Sequence, residues 1–364
     1  MADQQKILVL TSKTGGGHIS LAEALRDQLA RIHTIEIIDP QPGFFHWHYR
    51  LVSRYALWLW AAEFQFTDTP DRALFAHRLF APLVARELTE LLERVRPALI
   101  ITTYPFLTYE VMQVLAKSTT SIPFVMLPSD PNGVHASWLS ERRATAVLAP
   151  TRETYEQACA AGFTTDQLHL VGWPVRAQFY RDYAGQRSML LTQLGLKPER
   201  FTIFLQGGGE GAARFGRTVE GVLAANPDAQ VILAVGTNQA LLERFTGVER
   251  LYALPFTREI APYMAAADVV MGKAGPNMLF EAVTLGKPFI ATAYIPGQEE
   301  VNLEFIRRHQ LGWVALTPEE QGALLAQLAS NPDTLQTMRA TVDAYRQWNT
   351  AANKSIVEII EDLL

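Results

Sequence analysis

The chain has 364 residues, 48% of them hydrophobic and 19% charged, which is more apolar material than one core normally organises. A formal net charge of −5 argues against a nucleic-acid partner, which asks for a basic face. One cysteine, Cys159, excludes a disulfide framework and a clustered thiolate metal site, and no uncharged apolar run reaches the roughly 20 residues of a bilayer span. The first strand begins by Lys6, so no signal peptide is expected ahead of it, and a reducing cytoplasm is the expected compartment.

Short apolar runs alternate with helical stretches, the pattern of parallel strands joined by crossover helices. In the first half the runs lie at 7–10, 34–38, 98–103, 122–127 and 145–148; in the second they lie at 201–205, 230–235, 250–253, 268–271 and 289–291. Each is rich in Ile, Val, Leu or Phe with little polar alternation, as in strands covered on both faces. The expectation is two Rossmann-like α/β domains, 1–172 and 201–335, with a linker at 173–200 and a helical tail at 336–364 returning to the first.

The run at 7–10 leads directly into Thr14-Gly15-Gly16-Gly17-His18, which opens a helix over 19–30. Glycines there allow a sharp turn and close approach of a ligand, and a helix N-terminus favours negative charge. The spacing is not the G-x-G-x-x-G dinucleotide fingerprint, and a tight turn with a surface histidine explains it too. Residues 43–66 are crowded with rings, among them Phe44, Trp47, Tyr55, Trp58 and Trp60, and 51–62 is apolar nearly all round. Rings interrupted by Arg50 and Arg54 suit a bilayer interface, whereas a helix apolar on every side equally suits a core or a dimer contact. After the run at 122–127 come Pro128-Ser129-Asp130-Pro131, then His135 and Trp138. Asp130 reads as a candidate base or as a plain Asx turn, and His135 and Trp138 as acceptor-site residues or as packing.

Gln206-Gly207-Gly208-Gly209-Glu210-Gly211 repeats the glycine arrangement after the first strand of the second half, where backbone N–H groups suit a diphosphate. Ligands of such sheets bind beyond the carboxyl ends of the strands, which predicts a site in a cleft between the domains. The run at 268–271 ends in Gly272-Lys273-Ala274-Gly275-Pro276-Asn277, with Pro276 placed for the first turn of a helix. Glu281 on that helix can accept both hydroxyls of a ribose, or is a solvated surface charge. Gln298, Glu299 and Asn302 follow in Pro296-Gly297-Gln298-Glu299-Glu300-Val301-Asn302, where they meet sugar hydroxyls or form a polar helix start.

In order, TSKTGGGH, PSDPNGVHASW, VGWPVRAQF, GKAGPNMLFEA and YIPGQEEVN resemble the monogalactosyldiacylglycerol synthase and processive diacylglycerol glucosyltransferase family, relatives of the lipid-linked N-acetylglucosaminyltransferase of peptidoglycan synthesis. The resemblance runs through nearly the whole chain. It implies a GT-B fold, two Rossmann-like domains facing across a cleft, and inverting transfer from UDP-galactose or UDP-glucose. The implied acceptor is diacylglycerol or a similar lipid, met peripherally at the inner face of the cell membrane. Carried over by position, it puts Gly207, Gly208 and Gly209 at the diphosphate, Phe256 at the uracil, Glu281 at the ribose, and Gln298 and Glu299 at the sugar. His18, with Gly16 and Gly17 beside it, faces the acceptor. Lys13, Ile19 and Tyr104, all in the acceptor domain, depart from the family, which commonly has Asp, Arg and His there.

Transfer needs a base for the acceptor hydroxyl, for which His18 is the first candidate and Asp130 the second. The leaving UDP needs N–H donors, which the glycine loop and the helix after Gly275 supply. No Asp-x-Asp motif is present, so neither a metal nor a cofactor is demanded. A GT-B enzyme with a soluble acceptor, a UDP-sugar epimerase and a non-catalytic nucleotide-sugar binder remain as alternatives.

Overall fold

The computed structural model describes residues 4–14, 16–207, 212–225 and 228–364. In chain order the first part runs β1 (Lys6–Leu10), α1 (Gly17–Leu29), β2 (Thr34–Ile38), α2 (Gly43–Tyr55), α3 (Leu57–Thr67), α4 (Pro70–Val95), β3 (Leu99–Thr102), α5 (Thr108–Leu115), β4 (Phe124–Met126), α6 (Ala136–Leu139), β5 (Ala146–Ala149), α7 (Arg152–Ala160) and β6 (Leu168–Leu170). There follow α8 (Arg187–Gln193), β7 (Thr202–Gln206), α9 (Ala212–Ala225), β8 (Gln230–Gly236), α10 (Gln239–Phe245), β9 (Leu251–Pro255), α11 (Ala261–Ala265), β10 (Val269–Lys273), α12 (Pro276–Thr284) and β11 (Phe289–Ala293). The chain closes with α13 (Glu300–Arg308), β12 (Gly312–Val314), α14 (Pro318–Ser330), α15 (Pro332–Asn353) and α16 (Ser355–Leu363).

Two compact units result. One runs through Ala177 and takes in Pro296–Val301 and Trp348–Leu364; the other holds Gln178–Ile295 and Asn302–Gln347. Each is built on a six-stranded, all-parallel sheet, ordered β2-β1-β3-β4-β5-β6 in the first and β12-β11-β10-β7-β8-β9 in the second. Helices cover both faces of such a sheet, which is why Ile7, Leu8, Val9 and Leu10 are all fully buried and the strand shows no polar alternation. Trp138 packs in the first core with Leu8, Phe124 and Val147, and Ile203, Leu233 and Met271 belong to the second core.

The ten expected strands form, most shifted by a residue or two. Two more, β6 and β12, are three-residue strands at the sheet edges, too short and too mixed in Leu168-His169-Leu170 and Gly312-Trp313-Val314 to stand out. The apolar stretch at 51–62 is not one helix. It breaks at Ala56 (φ −142°, ψ 55°), which ends α2 and starts α3.

The two sheet orders fix where loops splay apart. In the first sheet the chain leaves β1 for β2 on one side and returns to β3 on the other, so the loops after β1 and β3 diverge. In the second sheet β7 and β10 are neighbours whose connections leave in opposite directions. Such switch points open a crevice at the carboxyl ends of the strands.

The C-terminal segment is held to the first unit through backbone groups. The Asn349 side chain accepts the Trp173 N–H at 2.6 Å and donates to the Trp173 carbonyl at 2.9 Å, while Asn353 donates to the Val171 carbonyl at 2.9 Å. Gly172, at φ +70°, lies so close that a Cβ there would sit 2.7 Å from the Asn349 carbonyl oxygen. No larger residue fits.

Candidate active site

His18 stands in the first turn of α1, at the switch point of the first sheet. Its Nδ1 lies 2.7 Å from the carbonyl oxygen of Thr103, which follows β3. A carbonyl only accepts, so Nδ1 carries the proton and Nε2 keeps its lone pair. The Thr103 hydroxyl donates back to the His18 carbonyl at 3.1 Å, fixing the backbone as well as the ring. Burial holds the imidazole down to about 4, against the Thr103 bond and the nearby Asp39 charge, which both raise it. The ring is therefore neutral at neutral pH. Gly16 has φ −83° and ψ −10°, which any residue adopts, and a Cβ there would meet nothing within 4 Å. The fold does not require glycine at that position; what glycine leaves is room beside the histidine.

Around this histidine is a polar wall of which sequence reading singled out only Tyr104. Ser12 Oγ donates to Gln41 Oε1 at 2.6 Å and lies 2.8 Å from Thr14 Oγ1. Burial raises the Tyr104 hydroxyl above its ordinary value, with Gln41 and Thr14 holding it back, and its ring meets His18 edge-on at 4.9 Å. Asp39 ends the β2 link, with 2% of its side chain exposed, and His46 on α2 reaches it at 2.7 Å. Its position just past a strand, before Pro40, was the available signal.

Asp130 is half-buried after β4, and burial pushes its carboxyl up to about 7 while the His135 N–H holds it back. His135 is a structural link. Its Nε2–H donates to the Phe64 carbonyl at 3.0 Å and its Nδ1 accepts from the Ser137 N–H at 3.2 Å, so it caps α6 and ties it to α3. Trp138, expected to line the acceptor site, is instead fully buried in the core. An indole is large enough to fill the space between α6 and the sheet, and its burial outweighs any exposed role.

The aromatic segment divides by face. Trp58 is 74% exposed, and Phe44, Trp47, Tyr55 and Phe66 are exposed with it. On α4, Phe75, Leu79 and Leu83 extend the same apolar character at a spacing of four, a helical stripe that sequence reading passed over. Trp60 turns inward instead: its Nε1–H donates to Gln298 Oε1 at 3.2 Å, and its ring meets Tyr49 at 5.3 Å. Gly297, at φ +81°, is close enough to α3 that its Cβ would lie 3.3 Å from the Ala61 Cα. Gln298 and the buried Glu299 are thus held by the first unit.

In the second unit the switch point lies between Gly207 and the turn after β10. Gly208 and Gly209 lie outside the described residues. A Cβ on Gly272 would sit 2.4 Å from the Gln206 carbonyl oxygen, so glycine is what lets β10 and β7 close up here. Lys273 ends β10; Ala274 is fully buried, and Gly275 is the N-cap of α12, with Pro276 in its first turn and Asn277 next to it. Asn302 donates to the Ala274 carbonyl at 2.8 Å, while its buried Oδ1 has no partner among the described residues. Glu281 is buried on α12, not a solvated surface charge. Phe256, 64% exposed, follows the edge strand β9. The positive end of the α12 dipole and a close backbone turn suit an anion.

Residues 19–175 match the family model described as monogalactosyldiacylglycerol synthase, and residues 202–357 match the glycosyltransferase family 28 C-terminal domain. Monogalactosyldiacylglycerol synthase 1 of Arabidopsis thaliana chloroplasts is 26% identical over 350 residues, covering 88% of this chain. The chain spans 64% of that protein's length. Among solved structures, HepE of Anabaena in complex with UDP-glucose superposes with a TM-score of 0.61 at 15% identity, covering 99% of this chain and 100% of that one. The UDP-GlcNAc 2-epimerase of Neisseria meningitidis gives 0.62 at 12% identity, covering 98% and 100%. These likenesses show the GT-B fold.

Proposed function

We propose, from a chain whose residues 19–175 and 202–357 match the monogalactosyldiacylglycerol synthase and glycosyltransferase family 28 C-terminal models, that it is a glycolipid synthase. It moves galactose or glucose from a UDP-sugar to diacylglycerol or a similar lipid, working peripherally at the cytoplasmic face of the cell membrane. The acceptor oxygen attacks C1 of the sugar as its proton passes to His18 Nε2. The C1–O bond to UDP breaks, UDP leaves with the electron pair, and the anomeric configuration inverts.

The observation that carries this reading is the bond from His18 Nδ1–H to the Thr103 carbonyl, because it leaves a neutral, oriented ring nitrogen at a switch point. Gly207, Lys273 and the first amides of α12 meet the diphosphate, and Glu281 meets the ribose. Phe256 offers an exposed ring to the uracil. Gln298, Glu299 and Asn302 address the sugar hydroxyls. The exposed apolar faces of α2, α3 and α4 support a lipid acceptor, since an enzyme with a soluble acceptor, or an epimerase, has no use for them.

The test is incubation with radiolabelled UDP-galactose or UDP-glucose and diacylglycerol vesicles, followed by extraction into organic solvent. Label in the lipid phase is the expected result. UDP-sugar binding without labelled lipid would discard the acceptor.

A further inference from the structure

We propose that Asp39 and His46 are positioning residues for the transfer, tying the lipid-facing helix α2 to the loop that carries His18, so that seating α2 on a lipid surface sets that loop. The inference rests on the lipid-acceptor reading above. Asp39 Oδ2 accepts the Lys13 N–H at 2.6 Å and the His46 Nε2–H at 2.7 Å, and Oδ1 accepts the Gln41 N–H at 3.0 Å. A carboxylate with 2% of its side chain exposed is costly unless donors meet its charge. Here three donors come from three segments: the loop between β1 and α1, the link after β2, and α2. Bonds to a charged acceptor are short and strong, so movement of one segment is felt by the others.

The geometry of α2 gives that connection a use. On its outer side Phe44, Trp47, Leu51 and Tyr55 form an exposed stripe, three or four residues apart. On its inner side His46 meets Asp39, and Phe45 meets Phe80 with ring centroids 5.3 Å apart. From Phe80 the ring contacts continue to Phe106 at 5.9 Å, from Phe106 to Tyr104 at 6.1 Å, and from Tyr104 to His18 at 4.9 Å. One helix therefore presents an apolar stripe outward and reaches inward by two routes, a polar one to Lys13 in the loop before His18 and an aromatic one to His18 itself. A lipid surface that favours one seating of α2 favours the matching placement of Lys13 and His18.

The experiment measures amide hydrogen exchange over residues 12–18 of the full chain, with and without phosphatidylcholine vesicles containing diacylglycerol, alongside lipid labelling. In the wild type, vesicles slow exchange at Lys13 by about tenfold or more. In His46→Ala the outer stripe still binds vesicles, Lys13 exchange does not respond, and kcat falls by about tenfold while the KM for UDP-sugar stays within about twofold. His46→Gln keeps a donor for Asp39, folds as the wild type does, and restores both responses. Wild-type kcat in His46→Ala, or a full vesicle response at its Lys13, overturns the proposal. Failure of the acceptor reading looks different: no lipid is labelled by any variant, yet Lys13 still answers to vesicles in the wild type and not in His46→Ala. A wild type that labels lipid while its Lys13 exchange ignores vesicles overturns this proposal and leaves the acceptor reading standing.

Discussion

His18 Nδ1 and the Thr103 carbonyl oxygen lie 2.7 Å apart, a bond from the first turn of α1 to the end of β3 that decides which ring nitrogen is basic. Burial then holds the ring at about 4, so the basic form is present at all higher pH. The acid limb of kcat/KM is expected near 4, far below the ordinary histidine value. Asp130, pushed up to about 7, would place the limb there if it were the base. A pH–rate profile between 4 and 9 separates the two. His18→Ala is expected to lower kcat by about 10²–10⁴-fold with unchanged UDP affinity in a titration.

Asp130 also affects stability. Its folded value is raised from 3.8 to about 7, so between those pH values the folded protein binds more protons than the unfolded chain, and stability falls as pH rises. Asp130→Asn removes that penalty and can still accept the His135 N–H. Its Tm advantage over the wild type is expected to grow from pH 4 to pH 7 and then level off. An advantage that shrinks over that range would contradict the assignment of burial as the cause.

Trp58 and Trp60 are expected to part company. Trp58→Ser takes an exposed ring from the apolar face and lowers vesicle binding, leaving UDP-sugar binding as it is. Trp60→Phe keeps the ring and removes the N–H that holds Gln298, so the KM for UDP-sugar rises and vesicle binding stays. Flotation with vesicles and steady-state kinetics distinguish them.

Gly272→Ala places a methyl 2.4 Å from the Gln206 carbonyl oxygen and 2.8 Å from Met278 Cε. The backbone of β7 and β10 must shift, with an expected loss of about 1–3 kcal/mol in denaturant unfolding. Weaker UDP binding should accompany it, since the shift falls beside Gly207.

The sheets were readable because strands buried on both faces are apolar runs; 7–10 lies within β1, where all four residues are fully buried. The turn after β10 was readable for a related reason, since switch-point loops follow directly from strands. What was hidden depends on contacts distant in sequence. Nothing near Asp39 announces that Lys13 and His46 will meet it. Trp138 reads as a loop residue until α6 carries it into the core, and Trp60, about 200° round α3 from Trp58, meets Gln298 only in the fold.

The Asn349 and Asn353 clasp on Val171, Gly172 and Trp173 governs how the protein can be divided. A gene fragment ending at the polar stretch after Trp173 codes for every strand of the first sheet, yet lacks the side chains that bond to the Trp173 amide and carbonyl. Those groups are buried, and stripped of partners they would favour unfolding or capture of the missing helix. Supplied as a separate peptide, residues 332–364 should therefore complement such a fragment, as two halves of one domain do.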